Sequence, residues 1–245
     1  AMSAMNTLTL GADRALYVGE LPATGWHRHA APVLLLGLSG RFAVHLAPGR
    51  VETCHSALID AGVWHLFDPC GERVALVYLE PDCTEARSLR LHFQRLGGVV
   101  FDPAVRTGAR SAMEARLRSF DLQALLHWRL DTAPELDARV MCSLQNLRMA
   151  RDGVLLRRQV AQAAHLSASR FNHLFREEMG VSFRSYRVWS QVRAAMAGLA
   201  TQSRLTDASL HGAFSDSAHF SRTFRQTFGM TPSSVLKPLR EVTLV

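Results

Sequence analysis

The sequence predicts an α+β protein: an N-terminal small antiparallel β-barrel, linker helices, and an all-α C-terminal domain holding two helix-turn-helix units. Three observations predict it. SASRFNHLFREEMGVS (Ser167 to Ser182) recurs 49 positions later as DSAHFSRTFRQTFGMT (Asp216 to Thr231). Short apolar or alternating runs fill Leu8 to Leu79 with no helical period. The charge is lopsided: residues 151–245 carry 13 basic and 6 acidic groups, whereas residues 1–100 carry 8 and 9.

The N-terminal runs are Ala15 to Gly19, Val33 to Leu38, Arg41 to Leu46, Arg50 to Thr53, Ala57 to Ile59, Trp64 to Phe67 and Val74 to Leu79, punctuated by Gly, Pro and Asp. About seven strands in so short a stretch predict a small antiparallel barrel or sandwich whose interior is a binding site. LSGR (Leu38 to Arg41) and APGR (Ala47 to Arg50) read as hairpin links. TGWHRHAAPVLLLGLSG sets His27 and His29 on one side of a strand, because alternate residues share a face, and IDAGVWHL brings His65 after a turn at Gly62.

From Thr84 the period becomes helical, with Leu89, Phe93 and Leu96 in step before Gly97 and Gly98. A second helix is expected after Pro103, through Met113, Leu117, Phe120, Ala124 and Trp128. DTAPE (Asp131 to Glu135) has the composition of a boundary. The expected domains are therefore 6–83, a barrel that binds an effector; 84–131, a helical linker open to dimerisation; and 132–240, the helical domain, beginning with a helix over Asp137 to Met149 and a turn at Arg151 to Gly153.

Within the repeat, each copy opens on a capping residue (Ser167, Asp216), carries aromatics at i and i+4, and stops at a glycine. Short helical patterns precede both, Val160 to Ala164 and Ala208 to Gly212, so each copy is a helix-turn-helix unit. The corner of such a unit favours positive φ, and here His165 and Ala213 occupy it, with Gly212 one place early. The face away from the aromatics carries Ser169, Arg170, Asn172, His173 and Arg176 in the first copy, and Ser217, Ala218, Ser221, Arg222 and Arg225 in the second. These are side chains for base edges and phosphates. Arg184 to Ala200, with Tyr186, Trp189, Val192, Met196 and Leu199 at helical spacing, predicts one connecting helix of about 26 Å.

A chain of 245 residues with 48% hydrophobic content has room for two domains. A basic domain joined to a neutral one points to nucleic acid, since neutralising phosphates releases counterions. Cys54, Cys70, Cys83 and Cys142 show no paired spacing, and neither a signal peptide nor an apolar run of about 18 residues is evident, so a reducing cytoplasm is the expected setting and no membrane partner is expected.

Residues 137–238 resemble the DNA-binding domain of the AraC/XylS family of bacterial transcription regulators. LTDASLHGAFSDSAHFSRTFRQTFGMTP is similar to that family's signature at Phe214, Ser215, Asp216, His219, Phe220, Ser221, Arg222, Phe224, Arg225, Phe228, Gly229, Thr231 and Pro232. It departs at Ala213, where the family favours glycine, and at Ser209 and His211, where it favours alanine. The N-terminal half resembles a cupin: a His-x-His phrase, a glycine about a dozen residues on (Gly40), and a glycine three before a later histidine. Cupin-like sensor domains precede the AraC-type domain in many regulators, and a helix in the position of 84–131 often packs against its mate in a dimer.

The resemblances imply a regulator that binds double-stranded DNA, senses a small effector through its cupin-like domain and catalyses no reaction. The effector site is expected at Trp26, His27, His29, Val33, Trp64 and His65. Metal-binding cupins usually add a glutamate four or five places after the second histidine, where Val33 and Leu34 stand here. An organic pocket is the favoured expectation, with a zinc, nickel or iron site on the three imidazoles as the other. No cofactor is assigned. The alternatives are a metal-dependent cupin enzyme, which leaves the basic repeat unexplained, and a metal-sensing regulator.

Overall fold

The computed structural model describes residues 5–103, 117, 122–126, 128–149, 157–201 and 212–245. The chain forms two compact units, Ala1–Ala133 together with Phe224–Val245, and Pro134–Thr223.

Among the described residues the first unit has ten strands: β1 (Asn6–Leu10), β2 (Arg14–Gly19), β3 (Val33–Gly37), β4 (Phe42–Ala47), β5 (Arg50–Cys54), β6 (Ser56–Ile59), β7 (Leu66–Asp68), β8 (Val74–Leu79), β9 (Val99–Phe101) and β10 (Leu239–Leu244). All seven anticipated runs carry strands, and β1, β9 and β10 are additional. Hydrogen bonding arranges them as two sheets, one of order β10-β1-β2-β8-β3-β6-β9 and one of order β5-β4-β7. Pairing is antiparallel except between β1 and β10, which run parallel. The uninterrupted apolar run of β3 follows from its place: it lies between β8 and β6, with Val33 to Leu36 all buried.

APGR is the hairpin between β4 and β5, with Gly49 at φ 77°. LSGR is not a hairpin link, because β3 and β4 lie in different sheets. The chain leaves β3 sharply at Gly37, where a Cβ would stand 2.0 Å from the Gly40 carbonyl oxygen. Helix α1 (Thr84–Leu96) is capped by Cys83, whose Sγ accepts from the Ala86 N–H, and ends at Gly97 in the left-handed region. Its Leu89 and Phe93 join Leu34, Leu36, Leu58, Val77 and Leu79 in one core, together with Leu122, Leu125 and Leu126 of α2 (Leu122–Leu126). Of the helix expected after Pro103, Leu117 is helical and joins the same core and Trp128 packs against it beyond α2, while Met113 and Phe120 lie outside the described residues.

The second unit contains α3 (Ala138–Met149), α4 (Arg157–Ala163), α5 (Ala168–Met179), α6 (Phe183–Gly198) and the start of α7 (Ser217–Phe228). Asp137 caps α3, its Oδ1 accepting from the Arg139 N–H, and the Arg139 guanidinium holds the carboxyl down at about 2. The buried faces of α5 and α6 interlock through Phe171, Phe175, Phe183 and Tyr186, ring against ring at 5.4–5.8 Å. The expected turn at Arg151 to Gly153 and the pattern from Ala208 to His211 lie outside the described residues. Downstream of α7, α8 (Pro232–Leu236) starts with Pro at N1 and leads into β10. No helix among the described residues is long and apolar enough to cross a membrane.

Candidate functional site

The first helix-turn-helix unit is α4, a corner and α5. His165 takes φ 54° at the corner, donating its N–H to Gln162 O, while Leu166 N–H returns to Ala161 O at 2.9 Å. Ser167 Oγ accepts from the Arg170 N–H at 3.2 Å, and Gly180 closes the helix at φ 76° with its N–H on Arg176 O. With Phe171 and Phe175 fully buried, Ser169, Arg170, His173 and Arg176 are exposed and Asn172 is half-buried. His173 Nε2 lies 3.2 Å from Glu177, an exposed pair one turn apart that contributes little to stability.

The second unit repeats this chemistry. Ala213 takes φ 55° and Asp216 Oδ1 accepts from the His219 N–H at 2.6 Å, which together with neighbouring donors holds that carboxyl below its ordinary range. Phe220 and Phe224 are buried. Ala218, Arg222 and Arg225 are exposed, and Ser217 and Ser221 are half-buried. Gly229 ends the helix at φ 68°, donating to Arg225 O. Gly212 is required by space: a Cβ there would stand 2.3 Å from the Gln191 carbonyl oxygen of α6 and 2.7 Å from the Phe214 ring.

In the sheet unit, His27 and His65 exchange backbone hydrogen bonds at 3.0 and 3.1 Å, and nearby the Thr24 N–H donates to Phe67 O at 2.8 Å while the Phe67 N–H donates to Thr24 Oγ1 at 2.9 Å. The Gly62 N–H donates to His29 O, so the glycine turn holds the second phrase against the first. The three imidazoles converge: ring centroids lie 4.3 Å apart for His27 and His65, 5.7 Å for His27 and His29, and 5.6 Å for His29 and His65. All three are buried, and one ring nitrogen from each lies within 4.8 Å of the others. Burial lowers the pKa of His27 and His65, the latter to about 4, and lowers that of His29 well below its ordinary value, with the neighbouring imidazoles adding to the effect. The rings are therefore neutral near pH 7.

Val33 is fully buried and pairs across the sheet with Tyr78, whose ring lies 5.2 Å from His29. Trp26 and Trp64, each next to a converging histidine, are 43% and 51% exposed, because neighbours along extended chain face opposite ways. The Arg28 guanidinium lies 5.2 Å over the Trp64 ring. Tyr78, Phe228 and Gly229 escaped the sequence analysis as members of this cluster. Phe228 lies 5.7 Å from Tyr78 and 6.3 Å from His29, and the Gly229 carbonyl accepts the Gly25 N–H at 2.7 Å. No spacing links them to the histidines, since strand register and chain return bring them there. Cys54 is buried with its thiol pushed up to about 12, which makes it an inert packing residue.

A sheet-rich unit bearing a buried polar cluster, joined to a helical unit with a helix-turn-helix element, and a second capped helix behind a matching corner define a two-part helix-turn-helix protein. Residues 160–238 match the family model described as a helix-turn-helix domain. The chain is 30% identical over 161 residues to the arabinose operon regulatory protein of Salmonella typhimurium, covering 64% of this chain and 56% of that protein. It is 38% identical over 76 residues to the Escherichia coli protein of the same name, covering 30% of this chain and 26% of that one. The matched stretch thus spans about half, or a quarter, of the length of these relatives.

Among solved structures, ToxT from Vibrio cholerae O395 superposes with a TM-score of 0.58 at 12% identity, covering 93% of this chain and 97% of that one. The unsaturated fatty acid-bound ToxT of strain SCE256 superposes at 0.57 with 12% identity, covering 94% and 96%. At such identity the likeness is one of fold, and it extends over both units. The C-terminal module is thus similar to a helix-turn-helix domain and to part of the arabinose operon regulatory proteins, and the fold as a whole is similar to that of ToxT.

Proposed function

We propose that this chain is a sequence-specific DNA-binding transcription regulator whose sheet domain senses a small effector. One observation carries the proposal: two capped helices of twelve residues, each with a buried aromatic face and an exposed polar and arginine-bearing face, occupy a segment that matches a helix-turn-helix family. In this reading Asn172, Arg222 and the small side chains Ser169, Ser217, Ala218 and Ser221 meet base edges. Arg170, His173, Arg176 and Arg225 hold phosphates. Double-stranded DNA is the partner, and the formal charge of +7 favours it.

The effector site is the histidine cluster with Val33 inside and Trp26 and Trp64 at its rim. ToxT has been solved with an unsaturated fatty acid and with a naphthalenyl butenoic acid, and a small ligand in the sheet domain is the corresponding proposal for this chain. A homodimer through 84–131 would use the outer face of α1, since its buried face is spent on the chain's own core. The test is selection of bound fragments from genomic DNA by the full chain, with and without candidate effectors. A shared sequence among the bound fragments, with occupancy that an effector changes, is the expected result. Retention of fragments in proportion to their length alone overturns the proposal.

A further inference from the structure

We propose that β5 is a docking edge for a second copy of this chain, the two strands pairing antiparallel about a two-fold axis at Val51 so that Arg50 of each copy faces Glu52 of the other. The inference stands without the regulator reading. β5 ends the three-stranded sheet of order β5-β4-β7, and four of its five residues, Arg50 to Thr53, are exposed, with Val51 at 46%. The other end of that sheet is occupied: beyond β7, the Thr24 N–H donates to Phe67 O and His27 exchanges backbone bonds with His65. Among the described residues no strand pairs with the outer side of β5, so its outward backbone groups are a template for one.

What the edge selects follows from its charges. Arg50 and Glu52 lie two apart and share one face, while Val51 lies on the other face, opposite His45 of β4. Glu52 stands opposite Val44, which is fully buried, so the strand carries a carboxylate on the core-facing side of its sheet. A charge in that position turns away an apolar strand, because pairing strips water from it. Among the described residues neither Arg50 nor Glu52 has an ion-pair partner, and a second β5 supplies both partners at once.

Symmetry fixes the register. A two-fold axis normal to the sheet keeps like faces in line, so a residue can meet only its own counterpart or one an even number of places away. Centring the axis on Arg50 sets arginine against arginine, and centring it on Glu52 sets glutamate against glutamate. Centring it on Val51 sets valine against valine and makes two Arg50–Glu52 pairs, of the kind that stabilises facing strands. Thr53 O is already held by the Arg41 guanidinium at 2.6 Å, whereas the turn at the other end is open, with nothing within 4 Å of a Cβ built on Gly49. The free stretch is thus centred where the charges match. β10, the other long edge, lacks this property: Arg240 and Glu241 are adjacent, lie on opposite faces and cannot meet across such an axis. So short a pairing makes a small contact, and the dimer is weak and concentration-dependent.

The experiment is sedimentation of the full chain over a concentration series. It compares the unaltered chain, Arg50→Glu, Glu52→Arg, the double exchange, and an equimolar mixture of the two single variants; circular dichroism checks that each is folded. Each single exchange sets like charges across the axis, and roughly tenfold weaker self-association is expected. The double exchange should restore association. The mixture should associate as the unaltered chain does, since a strand with two glutamates then faces one with two arginines. No self-association of the unaltered chain overturns the proposal, as does a mixture that associates no better than its components. A dimer that all variants form equally, as one through the outer face of α1 would be, overturns it too.

Discussion

His165 and Ala213 hold the two corners at φ 54° and 55° without glycine's freedom. A left-handed conformation costs an L-residue roughly 1–2 kcal/mol, offset here by the cap and the aromatic packing that follow each corner. Ala213→Gly is therefore expected to raise stability by about 1 kcal/mol, read as a higher urea midpoint at unchanged slope. The histidines set a pH dependence whose sign can be worked out. Their folded pKa values lie below the ordinary 6.5, that of His65 near 4, so the unfolded chain binds protons that the metal-free folded chain does not. Stability is full above about pH 6.5 and falls as pH drops toward 4, by up to about 1.4 kcal/mol per pH unit for each histidine. Asp60 works against them: burial raises its carboxyl to about 6, so its contribution is lost as pH rises. One carboxyl opposes three imidazoles, and the net slope favours higher pH. Urea midpoints between pH 4 and 7 check this, and His65→Gln should flatten the curve.

At the scale of the element, the proposed regulator should separate contacts that specify from contacts that hold by their position along a helix. Arg222 lies mid-helix in α7 and Asn172 in the first half of α5, whereas Arg176 and Arg225 fall in last turns. Arg222→Ala or Asn172→Ala should lose discrimination at particular base pairs by about 1–3 kcal/mol. Arg176→Ala or Arg225→Ala should weaken all sequences alike and lower the salt slope by about 1. Titrations on operator and random duplexes separate the two, and equal weakening by Arg222→Ala removes it from base reading. Helix α6, sixteen residues and about 24 Å long, is the spacer. Its Val192 is fully buried, and Val192→Pro should cost about 3 kcal/mol or more and abolish joint protection of two segments about 10 base pairs apart.

For the whole molecule, the chain's return is the feature with most consequence. After α8 the polypeptide lays β10 parallel to β1 from Asn6 to Leu10, so both ends of the sequence build one sheet. Removing 239–245 leaves β1 as a bare edge with unsatisfied backbone groups. The truncated chain is expected to unfold its sheet unit at lower urea and to aggregate more readily, measured by denaturation and light scattering against the full chain. A truncated chain as stable as the full one would mean that β10 adds nothing to the fold.

Sequence alone determined whatever depends on local period and local chemistry. The seven N-terminal strands followed from alternation and punctuation, α5 and α7 from aromatics at i and i+4 between a cap and a glycine, and the positive-φ corners from where the turns had to fall. His27, His29 and His65 could be grouped because alternation and a glycine turn act over a few residues. Tertiary structure alone decided what depends on register and on distant returns of the chain. It put Tyr78 of β8 opposite Val33 of β3, turned Trp26 and Trp64 outward, sent LSGR between sheets and set Phe228 and Gly229, at the end of α7, against the histidines. Such neighbours are chosen by packing and backbone pairing summed over the whole fold, and no spacing along the chain records them.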